Sequence, residues 1–307
     1  MDVTRGRVYP ENQILLASNG RNPAIASDGE NVLVVWTTDI TRPRRPRLHA
    51  ALVGRGGIIG APFVIAEADA VTAPAAAWNG TNYVIAWHDP RERGLRTASV
   101  DRFGNFLGQV NDVVDATTSD RVSIATDGDR SLVVTPDSFV VIDRDALPLA
   151  QSDGGGNDVT WNGQEYFVVA SDNVGVNGVR VSRDGIALGG PTTITRDEGH
   201  DPQVAWNGRE IEVMWLVDGP WPFRPSVRFG WIGADGVFGP ICNWGYPPPY
   251  DIRYGDEIWN DRWIYADNFD LAARTTGQTI IAKGPAVLVT SAISFVIMTP
   301  RRRAAGN

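Results

Sequence analysis

The segment AAAWNGTNYVIAW, from Ala75 to Trp87, decides the fold of this chain because it encodes a strand, a tight turn and a second strand. The same phrase recurs as AIASDGENVLVVW from Ala24 and as QVAWNGREIEVMW from Gln203, and weaker copies begin at Ser123 and Asp158. Apolar residues on both sides of an Asn-Gly or Asp-Gly pair predict a β-hairpin closed by a two-residue turn. One supersecondary unit repeated along a chain indicates a repeat architecture.

Each full unit contains four strand signals. In the first unit we expect strands at Pro23 to Ser27, Asn31 to Thr37, Leu48 to Val53 and Pro62 to Ala66. No segment has a sustained apolar period of 3.6 residues, so helices are not expected. Repeated four-stranded antiparallel units of about 40 to 50 residues are typical of a β-propeller, in which each unit is one blade around a central channel.

The sequence therefore predicts an all-β, seven-bladed β-propeller that occupies residues 1–307 as a single domain, with six blades as the alternative. The predicted blades start near residues 23, 74, 122, 158, 202, 250 and 285. The last unit, Pro285 to Pro300, supplies two strands only. Residues 1–18 would complete it with strands at Val3 to Tyr9 and Gln13 to Ala17, so that both ends of the chain share one blade.

The fullest copy of the repeat also resembles known proteins. Residues Pro74 to Arg91 are closest to the pattern P-x-x-A-W-N-G-x-x-Y-x-V-x-W-x-D-x-R, which resembles the propeller repeats of exported bacterial proteins. The resemblance extends over nearly the whole chain and implies a propeller fold, but it carries over no catalytic residues. We expect an extracellular or cell-surface protein whose leader lies outside this sequence, with a cytoplasmic protein as the alternative.

Charge and apolar patterning limit the classes of partner. The formal net charge of −8 at pH 7 repels phosphate backbones, so we expect no nucleic-acid partner. No apolar stretch approaches the roughly 18 residues that a membrane-spanning helix needs, so we expect no insertion into a membrane. The single cysteine, Cys242, excludes an internal disulfide. We expect a monomer whose partner is a glycan or a surface protein.

The tryptophans that recur with the repeat are expected to pack between blades rather than to bind a ligand. One set precedes the first turn of a unit, and a second set ends the second strand. These residues are Trp78, Trp161 and Trp206 for the first set, and Trp36, Trp87 and Trp215 for the second.

A binding site is expected where the connections are long and irregular. These are the connections from the second to the third strand of a unit and from one unit to the next, and irregular loops on a rigid scaffold commonly carry function. They combine aromatic rings, which cover sugar C–H surface, with charged groups that bind hydroxyls or carboxylates. The predicted ligand-binding residues are Arg45, Asp89, Arg91, Asp218, Trp221, Arg224, Trp244, Tyr246 and Tyr250. This composition favours a non-catalytic binding module.

The alternative is a lyase or hydrolase that acts on an acidic polysaccharide at the mouth of the channel. His88 or His200 would then be the general base. The sequence leaves open whether the protein is an enzyme. No spacing motif for a metal is present, so we expect no metal and no cofactor, with Ca²⁺ bound by carboxylates that follow the second strands as the alternative.

Overall fold

The fold consists of short antiparallel β-strands. The computed structural model describes residues 13–17, 20–38, 47–54, 57–67, 73–89, 94–114, 121–196, 199–206, 210–217, 226–232, 242–244, 269–273, 279–283 and 287–290. Within these ranges the regular elements are all strands, and the expected all-β class is confirmed. None of these residues belongs to a helix with the length and apolarity required to cross a membrane.

Five four-stranded sheets contain most of the strands, and in each sheet the strands follow one another in chain order. A strand that precedes them is β1 (Gln13–Ala17). Sheet one contains β2 (Gly20–Ser27), β3 (Val32–Thr38), β4 (Arg47–Gly54) and β5 (Gly57–Glu67). Sheet two contains β6 (Ala75–Trp78), β7 (Asn82–Asp89), β8 (Gly94–Asp101) and β9 (Phe106–Val114). Sheet three contains β10 (Ser123–Thr126), β11 (Ser131–Val134), β12 (Ser138–Ile142) and β13 (Pro148–Asp153).

The remaining strands continue the same pattern. Sheet four contains β14 (Asp158–Trp161), β15 (Tyr166–Ser171), β16 (Val176–Val181) and β17 (Thr192–Thr195). Sheet five contains β18 (His200–Trp206), β19 (Ile211–Val217), β20 (Ser226–Ile232) and β21 (Cys242–Trp244). The last strands are β22 (Phe269–Ala273), β23 (Thr279–Lys283) and β24 (Val287–Thr290).

Neighbouring sheets pack face to face, and their first strands lie against one another. Strand β2 contacts β6, β6 contacts β10, β10 contacts β14, and β14 contacts β18. Each space between two sheets is filled by apolar residues from both, such as Leu33 of sheet one with Ile85 of sheet two. Val168 of sheet four likewise packs with Leu132 of sheet three. The core is therefore a series of apolar layers between sheets rather than one central cluster.

The repeated tryptophans lie in these layers, as expected. Trp36, Trp87 and Trp215 are at most 2% exposed. Trp78 and Trp161 are partly buried, and they tilt against Tyr83 and Tyr166, with ring centroids 4.7 and 4.8 Å apart. The interpretation of these side chains as packing groups is confirmed.

The first turns of sheets one to four share one geometry. In sheet one Ser27 pairs with Val32, and the backbone N–H of Asp28 donates a 3.1 Å hydrogen bond to the carbonyl oxygen of Asn31, so that Gly29 and Glu30 form the loop between these two residues. The carboxylate of Asp28 accepts hydrogen bonds from the backbone N–H groups of Glu30 and Asn31, at 2.8 and 2.6 Å. Gly29 has φ 94°, which L side chains rarely adopt. The two-residue loop therefore begins one residue later than the predicted Asp-Gly pair, and the Asp28 carboxylate is the acceptor that closes it.

The two ends of the described chain also meet. Strand β1 pairs antiparallel with β24, from Gln13 opposite Thr290 to Ala17 opposite Val287. The sequence had placed a strand at Val3 to Tyr9 between these segments, but that segment lies outside the described residues. Strands β22 and β23 pair with each other, β22 contacts β2, and β23 contacts β24. The unit predicted from residue 250 also lies outside the described residues, and the number of blades remains a prediction.

Candidate functional site

The connections of each sheet lie at the two opposite ends of its strands, and we call these two ends the turn edge and the loop edge. The turn edge holds the first-to-second and third-to-fourth strand connections, such as residues 28–31 and 79–82. The loop edge holds the ends of the second strands and the starts of the first strands, including Asp89 of β7 and His200 of β18. Antiparallel order places these connections together because successive strands run in opposite directions.

Most of the predicted ligand-binding residues lie outside the described ranges. This is the case for Arg45, Arg91, Asp218, Trp221, Arg224, Tyr246 and Tyr250. Trp244 belongs to β21, whose backbone pairs with β20 opposite Val227. That these residues, including Trp244, take part in a ligand site stays a prediction. The described candidates are Asp89, His88 and His200, and they fall into two different environments.

His88 and Asp89 end strand β7 in a buried environment. His88 is 2% exposed and Asp89 is 4% exposed. The Asp89 carboxylate lies 4.0 Å from Nε of Arg96 on the neighbouring strand β8, and the same guanidinium lies 3.1 Å from Asp112 of β9. Buried charges in proteins are commonly paired in this way, and the arrangement ties three strands of sheet two together.

His200 lies in a more open environment at the start of β18. Its Nδ1 atom is 3.0 Å from Oδ2 of Asp201, and the other carboxylate oxygen of Asp201 pairs with the guanidinium of Arg121. The three side chains are between 25% and 38% exposed. We name Arg121, His200 and Asp201 the loop-edge cluster. Arg121 precedes sheet three and Asp201 belongs to sheet five, so the cluster joins two sheets that are not consecutive.

The electrostatics of the cluster keep its carboxylate ionised. Burial by itself would raise the pKa of Asp201, but the hydrogen bond from His200 and the charge and hydrogen bond of Arg121 outweigh it and lower that pKa. Ionised Asp201 can therefore act only as a hydrogen-bond acceptor, whereas Arg121 is only a donor. The loop-edge cluster therefore holds a hydrogen-bond acceptor and a hydrogen-bond donor side by side at a half-exposed position.

A β-bulge sets the direction of the Asp201 side chain. The pairing of β18 with β19 shifts in register between His200 and Gln203, and Asp201, which precedes Pro202, has φ 52°. Strand β2 of sheet one has a matching bulge, where Asn22 precedes Pro23 with φ 47°. Bulges re-aim side chains and are common beside functional sites.

A buried carboxylate lies in the same layer of first strands. Asp158 begins β14, and its Oδ1 atom accepts a 2.5 Å hydrogen bond from the Ser123 hydroxyl of β10. Its Oδ2 atom accepts a 2.8 Å bond from the backbone N–H of Val204 in β18. Burial raises the pKa of Asp158, against the effect of these hydrogen bonds. One side chain thus links the first strands of three successive sheets.

Sequence reasoning did not select Arg121, Asp201 or Asp158 as site residues. The available signal was the pair of segments Gly20-Arg21-Asn22-Pro23 and Gly199-His200-Asp201-Pro202, which share a glycine, a polar pair and a proline just before a repeat. Gly199 allows the close approach of Trp215, since a Cβ on Gly199 would lie 2.5 Å from the indole ring.

Among the described residues, no group of three or more His, Cys, Asp or Glu side chains could hold a metal ion.

Comparison with known proteins shows the fold and no family. No family model and no curated protein matches this sequence. The structure is similar to that of hydrazine synthase from Kuenenia stuttgartiensis, with a TM-score of 0.52 and 13% identity over 87% of this chain and 74% of that one. It is similar to the subtype N10 neuraminidase-like protein of an A/little yellow-shouldered bat/Guatemala strain, with a TM-score of 0.51 and 8% identity over 92% and 98% of the two chains.

A weaker similarity involves a eukaryotic initiation factor, with a TM-score of 0.42 and 11% identity over 74% of this chain. The chain spans about half of that protein, 55% of its length. At these identities the similarities concern the fold alone. The chain is an all-β protein of successive four-stranded antiparallel sheets, and its structural neighbours have propeller-type folds.

Proposed function

We propose that this chain is a non-catalytic β-propeller module that binds a glycan at its loop edge. The observation that carries the proposal is the loop-edge cluster, in which Arg121, His200 and Asp201 meet at a half-exposed position. A guanidinium and a carboxylate held side by side can bind neighbouring hydroxyl groups of a sugar, because each hydroxyl both donates and accepts a hydrogen bond. The bulge at Asp201 supports a role beyond packing.

The predicted aromatic residues belong to the same proposal. Trp221, Trp244, Tyr246 and Tyr250 would supply the flat apolar surfaces on which a sugar ring lies, and Arg45, Arg91 and Arg224 would bind acidic groups. A surface protein is the other partner with this chemistry. We further propose that the protein acts as an exported monomer.

Closure of the sheets into a ring is part of the proposal. The pairing of β1 with β24 supports a blade that contains both ends of the described chain. The contacts of β22 with β2 and of β23 with β24 favour the arrangement β22, β23, β24, β1 as one further blade. That arrangement favours six blades over seven, and it would bring loop edges from distant parts of the chain around one opening.

A second candidate function rests on the hydrogen bond between His200 and Asp201. A carboxylate that binds one nitrogen of an imidazole ring orients the ring and leaves the other nitrogen for a substrate, which is the arrangement of many general bases. In that case Arg121 would stabilise the carboxylate of an acidic polysaccharide substrate. Ca²⁺ binding at the loop edge would accompany either function only if undescribed carboxylates complete a site.

The experiment is a glycan array followed by calorimetry with the glycans that bind. The variants are Arg121→Ala, His200→Ala and the double variant Trp221→Ala with Trp244→Ala. Arg180→Ala is the matched control, since Arg180 forms an exposed ion pair with Glu165 near the turn edge. We expect the loop-edge variants to weaken binding about tenfold or more, the value of one or two hydrogen bonds, and the control to bind like the wild type.

Three results would contradict the proposal. Equal affinity of wild type and all loop-edge variants would place the ligand elsewhere. Cleavage of a bound polysaccharide by the wild type but not by His200→Ala would show that the protein is an enzyme rather than a binding module. An array with no glycan bound, together with capture of a purified surface protein that requires Arg121, would replace the glycan by a protein partner.

A further inference from the structure

Three Asn-Gly pairs occupy the same position of the repeat, and the two that lie among the described residues differ in their surroundings. Asn79 and Gly80 form the first turn of sheet two, and Asn162 and Gly163 form the first turn of sheet four. In both turns the asparagine Oδ1 atom accepts hydrogen bonds from the two backbone N–H groups that follow the glycine. The distances are 3.1 and 2.8 Å for Asn79, and 2.9 Å for both bonds of Asn162.

The surroundings of the amide nitrogen differ. Nδ2 of Asn79 donates a 3.0 Å hydrogen bond to the carbonyl oxygen of Arg144 in the next sheet, and Asn79 is 0% exposed. Asn162 is partly exposed, and no hydrogen bond of its Nδ2 atom is found within the described part of the chain. A Cβ placed on Gly163 would meet nothing within 4 Å, whereas one on Gly80 would lie 3.3 Å from the carbonyl of Gly128.

We propose that Asn162 is a site of spontaneous deamidation in the folded protein and that Asn79 is protected. The backbone nitrogen of Gly163 attacks Cγ of Asn162 and loses its proton. The new N–Cγ bond forms a five-membered succinimide, and the Cγ–Nδ2 bond breaks to release ammonia, which carries that proton. Water then opens the ring at either carbonyl and leaves aspartate or isoaspartate.

The turn itself assists this reaction at Asn162. Negative charge develops on Oδ1 when the glycine nitrogen adds to Cγ, and the N–H groups of Gln164 and Glu165 already point at that atom. Such preorganised donors stabilise an oxyanion. Asn79 has the same two donors, but the reaction there must break the bond to Arg144 and admit water to a buried side chain.

The aspartate product fits the turn without rearrangement. Asp127 occupies the same position in sheet three, and its Oδ1 atom accepts the N–H groups of Asp129 and Arg130 at 2.8 Å. Deamidation of Asn162 to aspartate therefore adds a negative charge and keeps both hydrogen bonds. Isoaspartate lengthens the backbone by one carbon, so this product would break the pairing of Trp161 with Tyr166 that the turn connects.

The experiment follows both sites in one sample. The folded wild type is incubated in mildly alkaline buffer, and peptides containing Asn79 and Asn162 are quantified by mass spectrometry, with a fragmentation method that separates aspartate from isoaspartate. Asn162→Asp provides the product standard, and Gly163→Ala should slow the reaction because a side chain hinders the attacking nitrogen. We expect the Asn162 peptide to deamidate at least about tenfold faster than the Asn79 peptide, the factor equivalent to one lost hydrogen bond.

A parallel incubation in denaturant separates structure from local sequence. Both asparagines precede glycine, so their rates should become similar when the chain is unfolded. Equal rates in the folded protein, or a faster reaction at Asn79, would overturn the proposal. A rate difference of the same size in denaturant would overturn it as well, because the preference would then come from the flanking residues.

Discussion

The side chain of Asn79 donates a hydrogen bond from Nδ2 to the carbonyl oxygen of Arg144, 3.0 Å away. The bond connects the first turn of sheet two with the last turn of sheet three. Sheets three and four are joined at the same position by a different pair, since Nε of Arg183 lies 2.6 Å from Oδ2 of Asp127. Neighbouring turns are therefore linked at the same position of the repeat, by an amide hydrogen bond between sheets two and three and by an ion pair between sheets three and four.

Sheet one lacks this link within the described residues. Asp28 occupies the position of Asn79, and its Oδ2 atom is buried without a hydrogen-bond partner among the described groups. Arg102 of sheet two corresponds to Arg144, and its guanidinium lies 3.6 Å from the carboxylate of Glu30. A buried acceptor without a donor reduces stability.

The first prediction is that Asp28→Asn stabilises the protein by about 1 kcal/mol. The amide keeps the Oδ1 acceptor that closes the turn and replaces the unpartnered oxygen with a donor that can reach the backbone of the next sheet, as in Asn79. Urea unfolding of wild type and variant measures the change. A lower midpoint in the variant would contradict the repeat equivalence.

Asp127→Asn is the matched control for this prediction. Here the carboxylate has a partner, and the same substitution removes the charge that Arg183 binds. We expect the control to reduce the free energy of unfolding. Stabilisation by both substitutions would indicate that loss of negative charge, rather than the local partner, is responsible.

The second prediction concerns the pH dependence of stability at Asp158. Burial raises the pKa of Asp158 above its ordinary value, so the folded state holds the proton more tightly than the unfolded state. Stability then falls as the pH rises from the ordinary Asp range through the raised pKa. Asparagine does not titrate, so Asp158→Asn removes this loss. The free energy of unfolding of the variant should therefore increase relative to that of the wild type as the pH rises.

Urea unfolding at a series of pH values measures that difference. Below the ordinary pKa of Asp the variant should be less stable, because the amide nitrogen replaces an oxygen that accepts the N–H of either Val204 or Val159 and cannot accept that bond itself. Parallel pH profiles for the two proteins would contradict the prediction.

The third prediction concerns Asp201 and Arg121. Arg121→Met should raise the pKa of Asp201, because the nearby positive charge and its hydrogen bond are lost. In the wild type the lowered pKa contributes stability that is present above the ordinary Asp value and is lost as the pH falls through the lowered pKa. The carboxyl carbon titration of Asp201 by NMR measures the shift, and an unchanged titration would show that His200 alone holds the carboxylate ionised.

The fourth prediction separates steric contact from backbone strain. Gly104 and Gly108 have φ 85° and 79°, and alanine is strained at both by about 1 kcal/mol. A Cβ on Gly104 would also lie 3.2 Å from Cβ of buried Leu52, whereas one on Gly108 would meet nothing within 4 Å. Gly104→Ala should therefore lower the free energy of unfolding more than Gly108→Ala does, and equal losses would exclude the contact with Leu52.

Local features of the chain were predictable because they depend on neighbouring residues. Apolar residues on both sides of Asp28-Gly29 predicted strands that agree with β2 and β3 to within a few residues. The two-residue loop lies one residue later than the predicted Asp-Gly pair, because Asp28 pairs with Asn31 through the backbone and its side chain bonds two further N–H groups.

The candidate site was predictable only in part. His200 was selected from its place in an irregular connection, but Arg121, which binds the other oxygen of the same Asp201 carboxylate, lies in a connection of another unit. His88 and Asp89 were selected by the same reasoning, and they are buried in sheet two. A residue type in a loop does not reveal its exposure, since this depends on how neighbouring strands pack.

The sequence by itself determined the repeating strands, the turns between them and the tryptophans that fill the layers. Each follows from runs of apolar residues along a strand or from side chains that bond the backbone a few residues away. Only the tertiary structure decided that Arg121 meets Asp201, that Asp158 links three sheets and that β1 pairs with β24. These contacts join residues far apart in sequence, and they form only when the packing of whole sheets brings their edges together.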